Sequence, residues 1–166
     1  MKIRVTVWLG VAAACAALSG CSNSHIAKVK SMPFDADPSL TIEQAFDHRK
    51  VCDSVKWDTI KDDRGRTLVE YRCYFKDVDA VVGKMSTPSN PLKSIDEVFQ
   101  WSVNKGAAPV LAYAGSEVNF TDGTLKDRAY GDAGIAEKLI DENTATTFQE
   151  YNTQFSAQGW MNFLHS

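Results

Sequence analysis

The sequence is short of the parts that most chemistry needs. It holds three histidines, His25, His48 and His165, two of them near the chain ends once a leader is removed, so a histidine-based triad is hard to assemble. No G-x-S-x-G elbow, no H-E-x-x-H and no phosphate loop occurs. Gly131-Asp132-Ala133-Gly134 matches a nucleic-acid clamp only in its glycines, and Asn119-Phe120-Thr121 is a sequon by chance. Lysine and arginine number 18 against 21 acids, a net charge of −3, with no basic cluster; nucleic acid is excluded as a partner. Asp35 and Asp37 have no third and fourth oxygen ligand at calcium spacing, so they read as turn residues. The expectation is therefore no catalytic set, no metal and no cofactor. One acid pair, Glu97 with Glu117, would suit hydrolytic work if adjacent strands brought the two together.

What the chain does have begins at its N-terminus. Lys2 and Arg4 precede Val5–Leu18, an almost wholly apolar or small stretch. It is shorter than the roughly 20 residues of a membrane-spanning helix, and it reads as a secretory signal. Its end, Leu18-Ser19-Gly20-Cys21, resembles the lipobox of bacterial lipoproteins. The resemblance implies cleavage of residues 1–20 and acylation of Cys21, which becomes the first mature residue. Ser22, rather than aspartate, implies export to the outer membrane with the domain facing the periplasm. Two or more acyl chains hold a protein stably on a bilayer. Cys15 has no aliphatic residue three places before it and belongs to the signal.

Removal of the leader takes two basic residues and leaves a net charge near −5. It also leaves Cys52 and Cys73, an even pair without C-x-x-C spacing or further zinc ligands. In an oxidising compartment these pair as a disulfide, worth roughly 3 kcal/mol through the loop it closes.

Residues 21–38 read as a lipidated N-terminus and flexible tether, and 39–166 as one periplasmic domain; the polar run from Ser22 to Ser31 would lift that domain up to about 30 Å from the lipid. The domain reads as α+β: an N-terminal helix, an antiparallel meander of four or five strands and a C-terminal helical segment packed on the sheet. Thr41-Ile42-Glu43-Gln44 has the form of a capping box, with a helix running to about Lys50. Val55, Trp57 and Thr59 alternate with charges, and Val69, Tyr71, Cys73 and Phe75 with Glu70 and Arg72; Asp62-Asp63-Arg64-Gly65-Arg66 turns between them. A bond from Cys52 to Cys73 would then pin the helix end to the inner side of the sheet.

After a connector from Asp77 to Lys93, Ile95, Glu97, Phe99, Trp101 and Val103 restart the alternation. Pro109–Tyr113 forms the next strand, and Glu117–Phe120 another or its continuation past a bend at Gly115. Ile135, Ala136, Leu139 and Ile140, then Phe148, Tyr151 and Phe155, make helical stripes. Thr41–Phe75 resembles a pattern of small bacterial envelope lipoproteins, with no catalytic residue to carry over.

The reading that follows is a lipid-anchored, periplasm-facing protein on the outer membrane, non-catalytic, binding a protein partner or maintaining an envelope assembly. The contact candidates are the tip Asp62, Asp63, Arg64 and Arg66, the Pro88–Pro91 connector, and the apolar tail with Trp160 and Phe163. A hydrolase acting on cell-wall or lipid material, and a conjugation or surface-exclusion lipoprotein, are the alternatives.

Overall fold

The computed structural model describes residues 19–78, 91–131, 140 and 144–154. Five antiparallel strands form one sheet: β1 (Cys52–Lys61), β2 (Thr67–Phe75), β3 (Leu92–Ser102), β4 (Val110–Phe120) and β5 (Leu125–Ala129). Their order in the sheet is their order in the chain, a meander. Among the described residues, helices α1 (Ser19–Lys30), α2 (Ile42–Phe46) and α3 (Phe148–Gln154) accompany the sheet. The described fold is mostly sheet.

Strand periodicity sorts the side chains. Pairing of Tyr71 with both Trp57 and Phe99, and of Cys73 with Glu97, puts those residues on one face. Pairing of Glu97 with Ser116 and Phe99 with Ala114 extends that face across β4. This inner face holds the core. Phe46 of α2 sits edge-on to Tyr71, Phe99 and Trp101, with ring centroids 4.9, 4.9 and 5.5 Å away. Trp57 stacks on Trp101 at 5.7 Å. Tyr151 and Phe148 of α3 pack on Phe75 at the other end of the same face, 4.9 and 5.0 Å between centroids.

Thr41 and Gln44 form the capping box: Thr41 Oγ1 accepts the Gln44 N–H at 3.2 Å, and Gln44 Oε1 accepts the Thr41 N–H at 2.8 Å. The helix stops at Phe46, earlier than the sequence suggests. Asp47 takes the Trp57 indole N–H at 2.6 Å and Lys30 at 2.7 Å, which turns the chain there and lets Arg49 point inward.

Three expectations need correction. Residues 24–38 are not a free tether: Val29 and Phe34 are wholly buried, and Ile26 and Met32 pack against the core. The Cys52–Cys73 disulfide is present, Cα–Cα 5.4 Å, but it joins neighbouring strands β1 and β2 and does not pin a helix to the sheet. It lies where the β1–β2 register shifts between Cys52 and Ser54. Gly115 marks no bend either; β4 runs through it. A Cβ there would lie 2.3 Å from Tyr113 Oη and 2.6 Å from the Arg128 carbonyl, so only glycine lets the tyrosine lie along the strand.

β5 leaves no mark in the sequence. Its Leu-Lys-Asp-Arg-Ala has exposed residues on both faces and so no alternation to read. Residues 79–90 of the connector, Pro88 among them, lie outside the described residues. So do the stripe Ile135–Leu139, Phe155, Trp160, Phe163 and Leu18.

Candidate functional site

The most deeply buried polar arrangement among the described residues is on the inner face, at Glu97. β3 presents Ile95, Glu97, Phe99 and Trp101 in one stripe, so the strand carries a carboxylate into the core, where it is wholly buried. Its Oε1 accepts the Tyr130 O–H at 2.6 Å and the Tyr151 O–H. Its Oε2 accepts Arg49 Nη1. Ser116, opposite Glu97 on β4, hydrogen-bonds the Tyr130 hydroxyl. The Arg49 guanidinium also lies 5.7 Å from the centre of the Tyr151 ring. One carboxylate thus ties together the segment after α2, β3, β4, the end of β5 and α3.

The electrostatics follow from this packing. Burial, and then the charge of Glu97, hold the Tyr130 and Tyr151 hydroxyls well above the ordinary tyrosine pKa. Burial opposes the charge of Arg49, but Glu97 outweighs it and the guanidinium stays protonated. Arg49 Nη2 is buried and finds no hydrogen-bond partner among the described residues. Three donors converge on a carboxylate that is wholly buried among the described residues. Such a centre holds elements in place.

The outer face carries a second lattice. Arg72 bridges Asp96 at 3.0 Å, Glu70 at 3.2 Å and Glu117. Gln100 donates to Glu70 at 2.8 Å and Asn119 to Asp96 at 3.0 Å. Burial pushes the Asp96 carboxyl up, against the pull of Arg72. Glu117 pairs with Asp96 across the strands, and Glu97 with Ser116. Glu97 and Glu117 therefore stand on opposite faces of the sheet. The hydrolytic pair considered from the sequence does not form, because positions one residue apart in register alternate sides.

The remaining sequence candidates take simple places. Cys21 lies within α1. Asp62 organises the β1–β2 tip: its Oδ1 accepts the N–H groups of Arg64 and Arg66 at 3.0 and 2.8 Å, and its Oδ2 pairs with Arg66 Nε at 2.6 Å. Gly65, with φ +74°, completes the turn. Asp63, Arg64 and Arg66 are exposed members of that tip, and Asp62 is half-buried. His48 is exposed at the mouth of a cleft of about 300 Å³ that Arg49, Lys50 and Thr144 also line.

Among the described residues no three histidines, cysteines or acids are grouped to hold a metal, and no helix is long and apolar enough to cross a membrane. Sequence reasoning does not reach the Glu97 centre. Its one local signal is an acid in an apolar stripe, which marks a buried polar residue awaiting partners. Comparison with protein-family models, curated proteins and solved structures finds no match to this chain.

Proposed function

We propose that this chain is a lipid-anchored, periplasm-facing protein of the outer membrane that works by binding a protein partner and performs no catalysis. The observation that carries the proposal is Leu18-Ser19-Gly20-Cys21 at the end of a charged, then apolar leader. Acylation of Cys21 fixes the domain to a membrane without any spanning segment. The non-catalytic part draws support from Glu97: the most buried acid is fully engaged by Arg49, Tyr130 and Tyr151. The disulfide suits an oxidising compartment. Asp63 and Arg64, at a tip held rigid by Asp62, are the described residues best presented to a partner.

The test is fractionation of the native protein and a Cys21→Ser variant, followed by crosslinking from a photoreactive side chain at Arg64 in intact envelopes. The native protein sediments with membranes and gives one discrete protein adduct, while the variant is released into the soluble fraction. A variant that still sediments removes the anchor, and a native protein without a discrete adduct removes the tip as the binding surface.

A further inference from the structure

We infer that α1 replaces the expected tether and seats the domain directly on the lipid headgroups, with the α1 side of the molecule down. The inference rests on the anchored reading above. α1 contains Cys21 and runs without a break to Lys30. Val29 is wholly buried, and Ile26 packs against the core. Lys28 Nζ donates to the Ala107 carbonyl at 2.5 Å, and Lys30 bridges Glu43 and Asp47 at 2.9 and 2.7 Å. The helix is thus fastened to the β3–β4 loop on one side and to α2 on the other.

Chain length then limits the distance from lipid to protein. Cys21 precedes Val29 by eight positions, about 12 Å along a helix. Even a fully extended chain from Cys21 to Ile26 spans no more than about 18 Å. A domain so held cannot swing far from the bilayer.

Charge selects the same orientation. The molecule is acidic overall, yet the exposed residues beside the anchor include Lys28 and, on the loop that Lys28 grips, Lys105. The opposite face of the sheet carries Asp58, Glu70, Asp96 and Glu117 around Lys56 and Arg72. Anionic headgroups attract the first surface and repel the second, at distances within a Debye length of about 10 Å.

The experiment uses the full-length protein in its own membranes. A photocrosslinking side chain is placed at Asn104, beside Lys105, or at Lys56 on the far face. Lipid adducts are expected from 104 and not from 56. A second form carries about ten Gly-Ser residues after Ser22, adding a reach of about 17 Å while leaving the packed part of α1 untouched. The adducts at 104 should be lost in that form, with its circular dichroism spectrum unchanged. A membrane-bound native protein that gives no lipid adduct at 104, equal adducts at both positions, or adducts that survive the insertion overturns the seating. A protein whose Cys21 bears no lipid by mass spectrometry overturns the anchored reading itself, and the seating with it.

Discussion

Glu97 shows at the scale of one residue how a charge is made tolerable inside a core. Its carboxylate meets a guanidinium and two hydroxyls, and each partner comes from a different part of the chain: 48, 33 and 54 residues away. Removing one member of a buried pair is costly because the other is left charged and dry. Glu97→Gln should destabilise the fold by about 3 kcal/mol, and Arg49→Met by a similar amount. The double variant should lose clearly less than the sum, since neither charge then remains unpaired. Urea unfolding of the native protein and the three variants measures this, and strict additivity would show that the contact carries no coupling. The sequence displays only half of the arrangement. An acid among Ile95, Phe99 and Trp101 is visible, but nothing local identifies Arg49, Tyr130 and Tyr151, because separations so long leave no periodic trace.

At the scale of elements, legibility follows the strength of alternation. β2 is plain because Val69, Tyr71, Cys73 and Phe75 share a face. β5 is invisible because an edge strand with exposed residues on both sides has no pattern to offer. α1 reads as a linker because its sequence is mostly polar, and only tertiary packing makes Ile26 and Val29 count. Gly115 governs how β4 meets β5. Gly115→Ala sets a methyl against the Arg128 backbone carbonyl, which a side-chain rotation does not relieve. A loss of about 1–3 kcal/mol is expected, with faster hydrogen exchange along β5 than along β2. The disulfide closes the β1–β2 hairpin. Its removal by the Cys52→Ala, Cys73→Ala double variant should lower stability by about 3 kcal/mol, read as a lower urea midpoint.

The whole molecule carries a further signature in its tyrosines. Four of the five sit in surroundings that keep them protonated: burial pushes Tyr71 and Tyr113 up to about 12, and burial with the Glu97 charge holds Tyr130 and Tyr151 well above their ordinary value. An unfolded tyrosine ionises near pH 10. Above that pH the unfolded chain holds fewer protons than the folded one, so stability is complete below about pH 10 and falls as the pH rises through 12. Tyrosinate absorbance and loss of structure should therefore appear together in an alkaline titration. Tyr71, Tyr130 and Tyr151 ionising near pH 10 in a protein that stays folded would contradict the packing of the inner face.

What most separates a membrane-seated binding domain from any other small sheet protein is the state of one sulfur. The measurement is intact-mass and N-terminal peptide mass spectrometry on the protein extracted from membranes. The expected product is a chain that begins at Cys21, with a diacylglycerol on its thiol and an acyl group on its amine. A chain beginning at Met1, or an unmodified cysteine at position 21, would contradict it.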